Sequence, residues 1–473
     1  MDPLRETARK HPEAEAIAAG ASWTVTELDE QADRVARHLA GGRLAGKRVA
    51  MLVPSSPQAA WAIPAVNRAG ATLAPLNTGW TKRELVDHLD RLDPAAVLCT
   101  ADTEQQAALV TQGAHILNLD APGGTRSIHV ETLPAAEELP GPNPNIPHSI
   151  VPTTGTSGQP KATVFDHQTH IAHARAAADR LDLTPGDRWL ACLSPAHIGG
   201  LAIYLRAALH GACLVPQRRF DAAAARQAMR EAEVTHASLV PAMLDRLIDH
   251  EPDPPSTLET VLVGGDACPE PLLERALDAG WPIALTYGMT ETASQACTAP
   301  PALVRENPGT VGPPLDGVEL EIRDEEIHVR GPTLAEGYLD GELPLDDDGW
   351  LATGDTGRLE DGHLWVTGRL SDRIVTGGAT VDPVEVEDVI REHPGVEDVC
   401  VVGVDDERWG QIVTAAIVSH ETGTLDAETL ASFCEDKLAS PKRPRAWAFL
   451  DELPRNANGK VDRGHVRETV PKA

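Results

Sequence analysis

Residues 153–163 read TTGTSGQPKAT, a run of small and hydroxylated residues with a lysine near its end. In such a run the backbone N–H groups are free to surround a phosphate. Thr154, Thr156 and Ser157 add hydroxyl donors, Gly155 and Gly158 allow close approach, and Lys161 adds a cation. A surface turn has the same composition, so the stretch alone leaves both readings open. It does exclude one fold. The Walker-type ATPase loop needs Ser or Thr directly after its lysine to hold magnesium, whereas Lys161 follows Pro160 and precedes Ala162.

Working outward, residues 48–76 (RVAMLVPSSPQAAWAIPAVNRAGATLAPL) give an apolar strand, a helix-length segment opened by Ser and Pro, a stop at Gly70 and a second strand. The pattern recurs at 260–287, where TVLVGG is a buried strand, PEPLLERALDAG a helix closed by Gly280, and WPIALTY the next strand. Repeated beta-alpha-beta units predict parallel or mixed sheets layered with helices, an α/β fold. The Pro- and Asn-rich residues 138–148 read as a linker between sheet units. Beyond Gly368 the texture changes to strands near DVCVVGV and TAAIVSH and a helix at 427–438, which predicts a separate small α+β domain. The expected division is a large domain over 1–370 and a small one over 371–473.

Composition narrows the function classes. The 473 residues carry 71 acids against 41 bases, a net charge of -30, which disfavours nucleic acid and anionic membranes as partners. Lysines are few, so an acidic surface of this kind suits a salty cytoplasm where screening removes self-repulsion. The opening MDPLRETARKHPEAEA has no apolar core, and no segment offers about 18 uncharged apolar residues, so a cytoplasmic protein is expected. Seven cysteines with no CxxC pair argue against a disulfide framework or a zinc site. His167, His170 and His173 wind around a helix without carboxylate company, so no metal is assigned to them.

Three further segments carry chemistry. TYGMTETASQ (286–295) runs from a strand into hydroxyls and one acid, which alone reads as a helix cap. In GWLATGDTGRLEDGHLWVTGRLSDRIVTGG (349–378) Asp355 and Arg369 would otherwise belong to hairpins. LPRNANGKVDR (453–463) puts Lys460 in what is otherwise an exposed Asn/Gly turn. Taken in this order, with the 153–163 loop, they resemble the adenylate-forming enzymes, the superfamily of acyl-CoA synthetases, adenylation domains and luciferases. The loop departs mildly from the family pattern, with Thr154 in the usual serine place and Ala162 where glycine is commoner.

The resemblance implies ATP, Mg2+ and coenzyme A as reactants and cofactors, with a small carboxylic acid as substrate. It implies that Thr154, Gly155, Thr156, Ser157, Gly158 and Lys161 hold the leaving phosphates. Glu291 would hold Mg2+, and Thr290, beside Gly288, would touch the reacting phosphate. Gly264 and Gly265 of GGDACP with Tyr287 would form the adenine slot, Asp355 and Arg369 would bind the ribose, and Lys460 would act catalytically from the small domain. That domain would pivot at Ser371 between half-reactions, bringing Gly377 and Gly378 to the coenzyme A tunnel. Self-association as a homodimer is left open.

VTHASLVPAMLDRLIDH (234–250), LAEGYLDGE, TETASQ and GRLSDRIVTGG look most like the o-succinylbenzoate-CoA ligases of menaquinone biosynthesis. That acid keeps a second carboxylate, which needs a cation. Arg246 is the candidate, against its ordinary reading as a solvated helix residue paired with Asp245 or Asp249. His197 in SPAHIGGL matches a family histidine at the mouth of the acyl pocket, and Ser294 is a further acyl-side candidate; a core histidine is the plainer reading of the former. Ala196 stands where the family usually has an aromatic residue, which opens room for a different acid. An aryl or medium-chain acyl-CoA ligase is therefore the alternative. A stand-alone adenylation domain loading a carrier protein is disfavoured, since no carrier segment with its Ser attachment site is apparent in the sequence and no Asp in SPAHIGGL marks an amino-group pocket.

Overall fold

A computed structural model describes residues 2–111, 113–120, 128–153, 161–420, 425–455 and 460–470. The expected unit at 48–76 forms as strand Arg48–Leu52, helix Pro57–Arg68 and strand Thr72–Pro75, the two strands parallel. Ser56 caps the helix by accepting from the Ala59 N–H, Pro57 occupies its first turn, and Gly70 leaves it at φ +70. The unit at 260–287 forms likewise, as Thr260–Val263, helix Glu270–Asp278 and Ile283–Tyr287.

These units build two large mixed sheets. A nine-stranded sheet runs parallel through Ser149–Thr153, Thr72–Pro75, Arg48–Leu52, Ala96–Cys99 and His115–Asn118. Lys161–Phe165 and Gly337–Tyr338 are added antiparallel at one side. An eight-stranded sheet holds Ile283–Tyr287, Thr260–Val263, His236–Leu239, Arg188–Ala191 and Cys213–Pro216 in parallel register. One apolar core joins the two, with Val49, Met51 and Val151 from the first sheet, Trp189 and Leu214 from the second, and Ile63 and Leu201 from helices between them. Separate clusters cover the outer faces, one around Leu247, Leu273 and Val261, the other around Leu85, Leu89 and Val97. Both sheets are thus buried on two faces, as their continuous apolar strands require.

Residues 138–148 contain neither helix nor strand, but the expectation of a link between sheet units is corrected. The strand that follows, Ser149–Thr153, returns to the same sheet beside Thr72–Pro75. A four-stranded antiparallel sheet spans Glu319–Arg323 to His363–Arg369, and a five-stranded sheet gathers the strands from Ile374 to Phe449. Helices Pro383–Arg391 and Ala427–Glu435 pack on the last sheet; the second ends short of the expected 438. Between the two small sheets lies only the 3-10 turn Leu370–Asp372. Among the described residues no helix is long and apolar enough to cross a membrane.

Candidate active site

Strand Ile283–Tyr287 delivers Tyr287 to the end of the eight-stranded sheet, and the chain turns through Gly288 into the 3-10 turn Thr290–Thr292. Gly288 admits no side chain, because a Cβ there would lie 2.1 Å from the Ser294 carbonyl oxygen. The returning loop holds Ala293 at φ 58 and Ser294 at φ 106, a conformation rare for L residues and typical of functional loops. The Tyr287 hydroxyl donates to Asp355 Oδ2 (2.9 Å), and Arg369 Nε donates to Oδ1 (2.7 Å). Asp355 and Arg369 face each other across paired strands, so the sheet register itself sets their meeting. Burial, then the Asp355 charge, raise the Tyr287 pKa well above its ordinary value, which keeps the hydroxyl a donor. Gly264 and Gly265 end the neighbouring strand. A Cβ on Gly264 would meet Thr286 Cγ2 at 2.4 Å, and Gly265 has φ +82.

Thr154, Gly155, Thr156, Ser157 and Gly158 lie outside the described residues. Lys161 begins strand Lys161–Phe165 with its ammonium 4.4 Å from the centre of the Tyr338 ring. The Tyr338 hydroxyl donates to Glu291 Oε1 (2.8 Å). Glu291 is 9% exposed and, among the described residues, has no cationic partner. A shielded carboxylate without a counter-charge is a donor that suits a hard divalent cation, so Glu291 fits Mg2+. Thr290, next to it, is half-buried.

On the acyl side, His197 precedes helix Ile198–His210. Asn77 Nδ2 donates to His197 Nε2 (3.0 Å), and Asn77 Oδ1 accepts from the Gly79 N–H (2.8 Å), which sets the amide orientation and leaves the imidazole proton on Nδ1. Burial, with the Lys460 charge behind it, lowers the His197 pKa to about 4. Ser294 Oγ lies 3.8 Å from where a Cβ on Gly199 would stand, so the 288–295 loop meets the head of this helix.

Arg246 corrects its expectation. It is exposed, its guanidinium 5.4 Å from the Phe220 ring, because helix Pro241–His250 turns Leu244, Leu247 and Ile248 inward and leaves Arg246 on the outer face. Among the described residues Arg68, Arg206 and Arg226 are the arginines almost wholly buried, and of these Arg206 is on the helix that follows His197. It is 1% exposed and 4.6 Å from the Trp189 ring, donates to Gln295 Oε1, and has no partner at Nε. No carboxylate pairs with it among the described residues, and burial lowers its pKa to about 9. Its signal in the sequence was an arginine inside LAIYLRAALH with no acid one turn away. Asn77 and Tyr338 were also missed.

Lys460 comes from the chain beyond the five-stranded sheet, after strand Ala446–Phe449. Ser371 is exposed in its turn, its hydroxyl 3.2 Å from Asp372 Oδ1. Gly377 and Gly378 form the tip of the hairpin between Ile374–Thr376 and Ala379–Val381. A Cβ on Gly377 (φ 57) would strike the Trp409 ring at 2.6 Å, and Trp409 also stacks with Arg445 at 4.0 Å; above Gly378 (φ 82) the space is open.

The family profile described as AMP-binding enzyme matches residues 4–339, and that described as AMP-binding enzyme C-terminal domain matches residues 385–460. The 2-succinylbenzoate–CoA ligase of Bacillus cereus (strain AH820) is 34% identical over 464 residues, covering 94% of this chain and 93% of its own. Among solved structures, o-succinylbenzoate CoA synthetase (MenE) from Bacillus subtilis in complex with the acyl-adenylate intermediate OSB-AMP aligns with a TM-score of 0.90 at 29% identity, covering 100% of this chain and 99% of that one. The same enzyme in complex with ATP and magnesium ion gives 0.89 at 30% identity, over 98% and 99%. With both profiles matched in order and relatives aligned over nearly their whole length, the chain belongs to the AMP-binding enzyme family.

Proposed function

We propose that the protein is an ATP-dependent, AMP-forming acid–CoA ligase whose acid is o-succinylbenzoate, acting in menaquinone biosynthesis in the cytoplasm. The observation that supports this reading is the hydrogen-bonded set of Tyr287, Asp355 and Arg369, with Glu291, four residues on from Tyr287, held by Tyr338. The ligases it resembles are named for that acid, and one of the solved complexes holds its acyl-adenylate.

A carboxylate is a poor electrophile, so its oxygen first attacks the α-phosphorus of ATP, and pyrophosphate leaves with the bonding electrons. Lys161 with Thr154, Gly155, Thr156, Ser157 and Gly158 covers the departing phosphates, and Thr290, beside Gly288, contacts the α-phosphate. Glu291 would hold Mg2+, which would supply charge neutralisation at the triphosphate. Asp355, steadied by Tyr287 and Arg369, takes the ribose hydroxyls, and Gly264, Gly265 and Tyr287 flank the adenine. Lys460 meets the negative charge that grows at the reacting oxygens. His197 stays neutral at working pH and adds no competing cation. The coenzyme A thiolate then attacks the acyl carbon and AMP leaves. For that step residues 371–473 turn about Ser371 against 1–370, and Gly377 and Gly378 admit the pantetheine arm.

The exposure of Arg246 favours a second reading, an aryl or medium-chain acyl-CoA ligase whose acid has no second charge. Arg206 answers it, as a buried cation that lacks a carboxylate. Pyrophosphate release measured over about a dozen acids, with and without coenzyme A, separates the two. Preference for o-succinylbenzoate supports the first, and preference for monocarboxylates rejects it. In the same assay Lys460→Ala is expected to lose acid-dependent pyrophosphate release by roughly 100-fold or more, yet still transfer a supplied acyl-adenylate to coenzyme A. Equal loss in both assays removes Lys460 from the first half-reaction.

A further inference from the structure

The segment 335–339 is stitched to both charged sides of the proposed nucleotide site. Ala335 N–H donates to the Glu291 carbonyl (2.9 Å), Glu336 N–H to the Val164 carbonyl (3.0 Å), and Leu339 N–H to the Ala162 carbonyl (2.7 Å). Strand Gly337–Tyr338 pairs antiparallel with Lys161–Phe165, setting Tyr338 opposite Thr163. This register drives the Tyr338 side chain between Lys161 and Glu291. Its ring face lies under the Lys161 ammonium at 4.4 Å, and its hydroxyl donates to Glu291 Oε1 at 2.8 Å.

An ammonium and a carboxylate this close to one tyrosine, in a partly dry cleft, attract each other strongly. Paired directly, the lysine would be lost to a triphosphate and the acid to a metal ion. No Lys161–Glu291 ion pair exists among the described residues, because the ring stands between them. The electron-rich face satisfies the cation while leaving its N–H groups available, and the hydroxyl takes one carboxylate oxygen and leaves the other.

Resting on the ligase reading above, we propose that Tyr338 is a positioning residue, a spacer that keeps Lys161 and Glu291 from pairing and presents each to the nucleotide and its metal. Calorimetric ATP binding in EDTA and across a magnesium series tests this without turnover. Tyr338→Phe, which keeps the ring, is expected to bind metal-free ATP within about two-fold of wild type but to need about ten-fold more magnesium. Tyr338→Leu, which lets the two charges meet, is expected to weaken metal-free ATP binding about ten-fold, and adding Glu291→Gln to it restores that binding. A wild-type melting temperature for Tyr338→Phe with an unchanged magnesium requirement overturns the proposal, as does a Leu variant that Glu291→Gln fails to rescue. If the wild type itself binds no ATP, the ligase reading falls instead.

Discussion

Arg206 keeps a guanidinium out of water beside a neutral amide and an indole ring, an arrangement that costs several kcal/mol unless an anion compensates it. A protein that used Arg206 only for stability would be better served by an apolar side chain of similar volume. Arg206→Met is therefore expected to leave the melting temperature unchanged or raise it. In the same variant kcat/KM for o-succinylbenzoate drops by roughly 30-fold or more, since truncating one partner of a buried charge pair costs about 2 to 5 kcal/mol. Activity on benzoate, however low, is expected to hold. Arg246→Ala serves as the contrast: an exposed helix arginine is worth under about 1 kcal/mol, so it changes neither readout by more than about two-fold. If Arg206→Met lowers both acids equally, Arg206 supports the fold and the second carboxylate has another partner.

Helix His167–Arg180 shows what an element imposes on its residues. Its apolar packing face carries His170 and His173, 3% and 1% exposed, and His148 packs edge-on against His170 from the neighbouring strand end. His170 accepts or donates at Ser149 Oγ (2.8 Å), a neutral partner, and burial followed by the His167 charge lowers its pKa from 6.5 to about 3. Burial likewise drives His148 and His173 well below 6.5. Between pH 6.5 and about 3 the unfolded chain binds a proton at His170 that the folded chain refuses. Stability from this residue is thus complete above pH 6.5 and is lost as pH falls through that window. At pH 5 the loss is about 2 kcal/mol. Denaturant unfolding at pH 7 and pH 5 should show that His170→Gln loses less stability on acidification than wild type by about that amount. Equal losses would mean that His170 titrates normally in the folded protein.

For the whole molecule the question is how the five-stranded unit sits on the rest. The Asp382 carboxylate, which caps helix Pro383–Arg391, occupies the space over Gly368, where a Cβ would stand 2.2 Å from Asp382 Oδ2. Arg373, two residues past Ser371, reaches Glu325 of the four-stranded sheet at 3.0 Å, a second tie across this seating. Gly368→Ala is expected to disfavour this arrangement selectively. Acid-dependent pyrophosphate release should fall about ten-fold or more, while transfer of a supplied acyl-adenylate to coenzyme A is not reduced. Equal effects on both steps would dissociate Gly368 from the seating of the unit.

The sequence alone determined the beta-alpha-beta units at 48–76 and 260–287, since caps, glycine stops and apolar runs are local signals that each segment carries in itself. It also determined the order of the site segments and the chemistry they resemble. The tertiary structure decided which arginine is buried, because helical spacing defines the apolar face of Pro241–His250 but says nothing of what fills the space beside Ser294 and Gln295. It alone returned Ser149–Thr153 to the sheet it had left, joined Glu291 to Tyr338 across 47 positions, and set His197 against Asn77 across 120. Such contacts depend on how sheets register and pack, and no local pattern of residues encodes a distance between segments that far apart.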